Sequence, residues 1–212
     1  MQQPRFDANC SACSRLSDFL RQVKEEYPDY HARPVAPFGD ARARLLIVGL
    51  APGMHGANAT GRPFTGDYAG ILLYETLYRF GFGNRPVSTA RNDGLVLNGC
   101  RITNAVKCLP PQNKPLGREV RECNRYLRAE LADLGEGAVI LALGAVAHRA
   151  VVQALGLKLK EHPFGHCRKH ALGGKRWLVD SYHCSRYNTQ TRRLTETMFH
   201  EVFREIVRLL DG

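Results

Sequence analysis

The sequence has no apolar run long enough to cross a membrane. None of its hydrophobic stretches reaches the ~18–20 residues that a spanning helix needs, and the polar opening MQQPRFDANC has no apolar segment of a secretory signal. Two nucleotide-binding motifs are also missing. There is no G-x-G-x-x-G, and the G-x4-G spacing of Gly56–Gly61 is followed by Arg62-Pro63 instead of Lys-Ser/Thr. These absences predict a cytoplasmic protein with no membrane partner and with neither a P-loop nor a Rossmann site.

Acidic residues are in the minority. The chain of 212 residues has 30 Lys and Arg against 20 Asp and Glu, which gives a formal net charge of +10. Such an excess favours a polyanionic partner such as nucleic acid, and a basic solvated surface without a partner is the alternative. With 44% hydrophobic residues, the chain can fill the core of one large domain.

The hydrophobic pattern predicts alternating strands and helices. Four short apolar runs are predicted to be buried parallel strands: Leu45–Leu50, Ile102–Val106, Val139–Leu143 and Trp177–Ser181. Amphipathic patterns predict helices over Tyr68–Phe80, Gly117–Leu134, Ala145–Leu155 and Thr195–Leu210, with another after Cys13. This alternation predicts a single domain over residues 1–212, folded as a three-layer α/β/α sandwich around a four-stranded parallel sheet.

Three predicted loops carry most of the chemically distinctive residues. The segment GLAPGMHGANATGRPFTGD ends the first strand, TNAVK ends the second, and SYHCSRYNTQT follows the fourth. Because ligands of parallel α/β sheets bind beyond the carboxyl ends of the strands, these loops are expected to converge. Asp67 is the single acid among them. The candidate side chains are His55, Asn58, Phe64, Asp67, Asn104, His183, Ser185, Arg186, Tyr187 and Asn188.

Seven cysteines are many for a reducing compartment, where disulfides are rare. Cys10 and Cys13 form a C-x2-C pair, and Cys108 and Cys123 form a wider pair. Spacing alone suits zinc and a cubane iron–sulfur cluster equally well, and ordinary buried thiols are a third possibility. The segment EHPFGHCRKH suggests either a zinc site, with His162, His166, Cys167 and His170, or a basic loop between a helix and the last strand that could touch a polyanionic partner.

Three long motifs, in this order, resemble the uracil-DNA glycosylase superfamily. They are GLAPG-x-HGAN-x-TGRPFTGD, TNAVKCLPPQNKP with Cys123 beyond it, and SYHCSRYNTQTRRLT. The resemblance is to the iron–sulfur family 5 enzymes, because family 4 has an acidic residue where this chain has Leu50. It extends from the Cys10/Cys13 pair to the last helix.

The resemblance implies a monofunctional glycosylase that hydrolyses the N-glycosidic bond of uracil, and of other deaminated bases such as hypoxanthine, in base excision repair. Such an enzyme flips its target base out of the stack. The resemblance assigns Phe64 as the platform under the base and Asn104 as the reader of the base edge. It assigns His183 to stabilise negative charge on the departing base.

The water-activating group is less obvious. Relatives outside family 5 have an Asp or Asn where this chain has Ala51, which contributes only its backbone. Asn58 is the remaining candidate, and an amide can orient a water molecule without acting as a general base. Gly53 and His55 are expected to bind substrate, and Asp67 either contributes or caps the following helix.

The third motif is expected to contact DNA. Ser185, Arg186 and Tyr187 would fill the space that the flipped base leaves, and Arg192, with Arg193, would meet phosphates. Cys184 departs from the superfamily pattern, which commonly has Pro after the histidine. The departure predicts a less rigid loop and a thiol near the pocket.

The resemblance also assigns a [4Fe-4S] cluster to Cys10, Cys13, Cys108 and Cys123. The expected partner is DNA containing uracil or another deaminated base, bound by a monomer. Two other classes remain: a non-catalytic iron–sulfur or zinc protein that binds nucleic acid, and an iron–sulfur electron carrier. Metal analysis and an assay of base release separate them.

Overall fold

A mixed β-sheet lies at the centre of the computed structural model, which describes residues 5–212. The first four residues, which belong to the predicted domain and to the polar N-terminal segment, lie outside this range. In the described range the sheet has six strands in the order β1-β3-β2-β4-β6-β5. Their bounds are Phe38–Gly39 (β1), Leu45–Gly49 (β2), Cys100–Asn104 (β3), Val139–Leu143 (β4), Lys169–Ala171 (β5) and Trp177–Ser181 (β6).

The four predicted strands form the parallel centre of the sheet, as β3-β2-β4-β6. The prediction of four strands omitted β1 and β5, which pair antiparallel at the two edges. Both edge strands have at most three residues and no fully apolar run, so they have no hydrophobic pattern to reveal them.

Seven α-helices occur in residues 5–212, five of them where the amphipathic patterns predict them. Two short helices inside the loops, α2 and α6, were not predicted. The bounds are Ser14–Glu26 (α1), Ala57–Thr60 (α2), Tyr68–Arg79 (α3), Gly117–Ala132 (α4), Ala145–Ala154 (α5), Arg186–Gln190 (α6) and Glu196–Asp211 (α7). No helix in this range is both long and apolar enough to span a bilayer.

Alternate residues of the buried strands face two separate cores. In β2, Leu46 and Val48 pack in a cluster with α1, α4 and α5, whereas Leu45 and Ile47 pack in a cluster with α3 and α7. This period of two places helices on both faces of the sheet. The predicted three-layer α/β/α architecture is therefore confirmed.

Candidate active site

The loops after β2, β3 and β6 meet at the carboxyl edge of the sheet, as the sequence predicts. They surround a cavity of about 470 Å³, called here the loop cavity. Gly49 and Asn104 are register partners at the ends of β2 and β3, so the first two loops leave the sheet side by side. The loop cavity is lined by Leu50, Ala51, Gly53, Phe64, Asp67, Tyr68, Ala69, Asn104, Asn113, His183, Ser185 and Arg186.

Phe64 supplies an aromatic wall of the loop cavity. Its backbone has a φ of 58°, a left-handed conformation that is uncommon for a bulky residue. The ring lies 6.0 Å from the ring of His183 at an interplanar angle of 26°. Gly70 permits the close approach of α3, because a Cβ there would lie 1.9 Å from the Phe64 carbonyl oxygen. The loop is thus held in a strained form that presents the ring to the cavity.

A buried ion pair stabilises this loop from behind. The Arg62 guanidinium donates to both carboxylate oxygens of Asp93 and, through Nε, to Thr65 Oγ1 at 2.8 Å. It also stacks on the ring of Phe38 at 4.7 Å. Burial raises the pKa of the Asp93 carboxyl, but Arg62 and backbone N–H donors outweigh it and hold that pKa below its ordinary value.

Asn104 presents an amide with unused hydrogen-bonding capacity. The residue is 3% exposed, and its side-chain oxygen has no hydrogen-bond partner among the described residues. A Cβ on Gly49 would lie 2.4 Å from this oxygen, so only glycine at position 49 leaves room for it. A buried amide without a partner is costly, and a ligand with complementary donors and acceptors would satisfy it.

His183 lies opposite Phe64 on the loop after β6. Asn188 fixes the loop by donating from Nδ2 to the His183 carbonyl oxygen at 2.8 Å. Burial lowers the pKa of the imidazole to about 4. The side chain is therefore neutral at physiological pH and has one N–H to donate.

Asp67 places a carboxylate in the loop cavity. Its Oδ2 accepts from the Ala57 N–H at 3.0 Å, and its Oδ1 packs against Gly53 and Gly56, where a Cβ would lie 2.2 and 2.1 Å away. Burial raises the pKa of this carboxyl, while the Ala57 N–H lowers it. Asp67 occupies the N-cap position of α3, but its side chain makes no capping hydrogen bond to that helix.

Of the remaining first-motif residues that the sequence singles out, some line the loop cavity and others lie outside its lining. Ala51 and Gly53 line the cavity, but His55 and Asn58 are not among its lining residues. His55 is exposed, and its Nδ1 lies 2.8 Å from the Tyr30 hydroxyl. Asn58 is fully buried. Its Nδ2 donates to the Met54 carbonyl at 3.4 Å, and its Oδ1 has no hydrogen-bond partner in the described part of the chain. Their assignment to substrate and water therefore stays a prediction that the geometry does not favour.

The third motif forms the outer rim of the cavity. Ser185 caps the short helix α6, whose exposed residues Arg186 and Tyr187 project beyond it. The Arg186 guanidinium lies 5.8 Å from the ring centre of Tyr68, a cavity residue that the sequence did not single out. Arg192 is exposed, with a φ of 56°.

Cys184 belongs to the hydrophobic core. It is fully buried in the cluster with α7, and burial raises the pKa of its thiol to about 12. The expected thiol near the pocket is therefore an inert group beneath it.

The four cysteines of the two pairs line one pocket, called here the thiol cavity. Cys123 Sγ accepts from the Lys107 N–H at 3.2 Å, and Cys10 Sγ accepts from Arg125 Nη2 at 3.3 Å. Burial, together with the neighbouring Cys123, raises the pKa of Cys13 to about 11, and the same causes raise that of Cys108. Because charged thiolates are disfavoured there, a cationic metal centre is the kind of group that would stabilise them.

The histidine-rich segment does not assemble as the sequence allowed. His162, His166, Cys167 and His170 form no ligand group among the described residues. His170 lies instead beside His148 and Asp180, where His148 Nδ1 is 2.7 Å from Asp180 Oδ1 and His148 Nε2 is 2.8 Å from the His162 carbonyl. These contacts join α5, β6 and the preceding loop.

Comparison with known proteins agrees with this geometry. The family model of the uracil DNA glycosylase superfamily matches residues 36–207, which include all three loops of the cavity. A type-5 uracil-DNA glycosylase of Thermus thermophilus is 47% identical over 205 residues, covering 94% of this chain and 93% of that protein. Another of the same type, from Pyrobaculum aerophilum, is 42% identical over 200 residues, covering 92% and 87%.

A type-4 uracil-DNA glycosylase of Pyrobaculum aerophilum is 35% identical over only 133 residues, covering 62% of this chain and 60% of that protein. The chain belongs to the uracil-DNA glycosylase superfamily. Within it, the type-5 relatives match over nearly the whole chain, which confirms the resemblance to family 5 rather than family 4.

Proposed function

We propose that this protein is a monofunctional DNA glycosylase that hydrolyses the N-glycosidic bond of uracil, and of other deaminated bases such as hypoxanthine, in DNA. The observation that carries this proposal is the meeting of Phe64, Asn104 and His183 around one cavity. No lysine is among the residues that line this cavity in the described part of the chain. A mechanism through water rather than through a lysine Schiff base therefore suits the site.

Phe64 and Asn104 bind the flipped base in this proposal. The ring of Phe64 stacks on the face of the base, and the free amide of Asn104 pairs with its edge. An amide carries both a donor and an acceptor, which matches the alternating groups of uracil and hypoxanthine. Such a base would supply the hydrogen bond that the Asn104 side-chain oxygen lacks among the described residues.

His183 stabilises the leaving group. When the bond from the sugar C1′ to the base nitrogen breaks, its electron pair stays with the base, and negative charge appears on a base oxygen. A neutral imidazole N–H aimed at this charge contributes on the order of 3 kcal/mol in a dry site. The low pKa of His183 keeps the imidazole in this neutral form.

Asp67 is the better candidate for water activation. It is the carboxylate among the lining residues, whereas Asn58 lies buried outside the lining. The water oxygen bonds to C1′, and a water proton passes to the carboxylate. The departing base takes up a proton from solvent, so one water molecule is consumed for each base released. The raised pKa of Asp67 suits a general base better than that of an ordinary aspartate.

Arg186 and Tyr187 enter the duplex from the rim, next to Ser185, and Arg192 neutralises phosphate. Both Arg186 and Tyr187 are solvent-exposed beside the cavity, with Tyr187 70% exposed. The net charge of +10 favours the same polyanion. Binding should consequently weaken steeply as salt concentration rises. We further propose that the protein acts as a monomer in the cytoplasm.

A [4Fe-4S] cluster bound by the thiol cavity is the proposed cofactor. Tetrahedral zinc with Zn–S bonds of about 2.3 Å would hold its sulfurs about 3.8 Å apart. Among the described residues, no three of the four thiol sulfurs lie within 4.8 Å of one another, which favours a larger, multi-iron centre. When bound, the cluster supplies an electrostatic and structural anchor, and the four cysteines hold α1 and α4 around it.

Metal analysis tests this cofactor. We expect about four iron and four sulfide per chain in anaerobically purified protein, and loss of both in Cys123→Ala. Cys100→Ala is the matched control, because Cys100 is also fully buried but lies in the other core. One zinc per chain, without iron, would contradict the cluster.

Base release tests the activity. Duplexes containing uracil, hypoxanthine or no lesion are incubated with wild type, His183→Ala and Asn104→Ala, and abasic sites are scored by alkaline cleavage. We expect lesion-dependent cleavage that falls by about 10²–10³-fold in His183→Ala. Binding of DNA without release of any base by cluster-loaded protein would favour the non-catalytic alternative.

A further inference from the structure

Lys107 carries an ammonium group that is buried next to the loop cavity. The residue is 1% exposed and lies three positions after Asn104. Its Nζ donates to the Asn104 backbone carbonyl at 2.9 Å, to Thr103 Oγ1, and to Glu130 Oε1 at 2.8 Å. Lysine is almost never buried so completely unless it is paired.

These contacts fix the orientation of the ammonium. It has three N–H donors, and the structure offers three acceptors, so no donor is left unpaired. Burying a charge costs several kcal/mol unless such partners compensate for it. Two of the acceptors belong to Thr103 and Asn104, the last two residues of β3, and the third comes from α4.

The backbone of Lys107 is held as well. Its N–H donates to Cys123 Sγ at 3.2 Å, and its carbonyl accepts from the Val35 N–H at 2.8 Å. A single residue thus contacts the thiol cavity through its backbone and the end of β3 through its side chain. The Asn104 side-chain oxygen, by contrast, has no hydrogen-bond partner in residues 5–212, so its position depends on the backbone that carries it.

We propose that Lys107 is a positioning residue for Asn104: its ammonium fixes the Asn104 backbone and, through it, the base-reading amide. This inference rests on the proposed function. Lys107 is not a catalytic residue, because it does not line the loop cavity. It acts through Asn104, so its removal should have no further effect once the Asn104 amide is absent.

The test replaces the buried pair with apolar residues, as Lys107→Met with Glu130→Leu. Changing both residues leaves no unpaired buried charge, so the variant is expected to fold. The Lys107 N–H to Cys123 remains, and iron and sulfide contents should therefore match those of wild type. We expect kcat/KM for uracil to fall at least about tenfold, since misplacement by about 1 Å can cost on the order of 10²-fold. The ratio of uracil to hypoxanthine excision should change too.

The decisive measurement repeats the pair of substitutions in Asn104→Ala protein. A further change of less than about twofold is expected there, since contacting residues that act together are not additive. Lys169→Met with Glu205→Leu is the matched control, because that Lys–Glu pair joins the edge strand β5 to α7. It should leave kcat/KM unchanged.

Three outcomes would overturn the inference. The first is an equal loss of kcat/KM whether or not the Asn104 amide is present. The second is loss of iron from the Lys107→Met, Glu130→Leu variant. The third is that this variant, with Asn104 intact, keeps the kcat/KM and base preference of wild type. These outcomes can be interpreted only if the wild-type protein releases uracil. Absence of release by wild type would instead refute the proposed function.

Discussion

Gly49→Ala adds one methyl group at the end of β2, next to Asn104 and Phe64, the two side chains proposed to contact the base. Its Cβ would lie 2.4 Å from Asn104 Oδ1 and 2.7 Å from Phe64 Cζ, whereas ordinary contact begins at 3.4 Å. The amide oxygen must therefore retreat by about 1.0 Å and the ring by about 0.7 Å. Gly49 does not have a left-handed φ, so alanine introduces no backbone strain there.

The expected result is a large loss of catalytic rate in a protein that stays folded. Misplacement by about 1 Å can cost on the order of 10²-fold in rate, and overpacking costs about 1–3 kcal/mol in the free energy of unfolding. Single-turnover release of uracil at saturating enzyme measures the first, and urea unfolding measures the second. Gly135→Ala is the control, because its Cβ would meet nothing within 4 Å.

A Gly49→Ala rate within about twofold of wild type, in folded protein, would refute the reasoning. It would mean that Asn104 and Phe64 can move by the required distances without affecting the base. A uracil rate lowered by the same factor in Gly135→Ala would refute it too, since the effect would then not come from the loop cavity.

Three further predictions concern ionisable groups. Because the pKa of His183 is about 4, the imidazole stays neutral between pH 6 and 8 and should cause no change in the single-turnover rate of uracil release there. A fall in this rate as pH rises through that range would contradict a neutral donor. Asp67→Asn should lower the single-turnover rate by about 10²–10⁴-fold. In wild type this rate should fall in acid with a midpoint above the ordinary aspartate pKa, and the substitution should abolish that fall. An unchanged fall in acid would exclude Asp67 as the base. Asp93→Asn should cost about 3–5 kcal/mol in urea unfolding at pH 7, because Arg62 is left buried without its counter-charge. The pKa of Asp93 is depressed in the folded protein, so its contribution to the free energy of unfolding is present above the unfolded pKa and is lost as pH falls through the folded pKa. The free energy of unfolding of Asp93→Asn should therefore fall less steeply in acid than that of wild type. Equal pH dependence of the two proteins would contradict this.

The sheet and the convergence of its loops could be predicted from the sequence because both follow from hydrophobic periodicity and parallel topology. Four apolar runs identify the parallel strands, and their carboxyl ends must share one edge. Phe64, Asn104 and His183 were accordingly assigned to loops that do meet. Asn104 was the easiest of them to place, because it ends a regular strand whose register with β2 fixes its position.

The arrangement inside the first loop could not be predicted in this way. Its residues have no repeating period, so the direction of each side chain depends on individual backbone angles such as the φ of 58° at Phe64. As a result, His55 and Asn58, named from the motif, lie outside the cavity lining, whereas Asp67 lies within it. The close approaches of Gly53 and Gly56 to Asp67 are the physical reason for two glycines there, and no pattern in the chain reveals that contact.

Two buried cations stabilise the backbone that carries the cavity residues Phe64 and Asn104. Arg62 fixes the loop that carries Phe64 through its pair with Asp93, and Lys107 fixes the end of β3 that carries Asn104 through its pair with Glu130. Neither cation lines the cavity, so both can stabilise the backbone without adding positive charge to the base-binding surface. The cavity itself then presents a neutral amide, a neutral imidazole and one carboxylate, with the exposed guanidinium of Arg186 at its rim. Such an arrangement suits a reaction whose leaving base becomes negative while the sugar becomes positive, because an imidazole N–H can stabilise the first charge and a carboxylate the second.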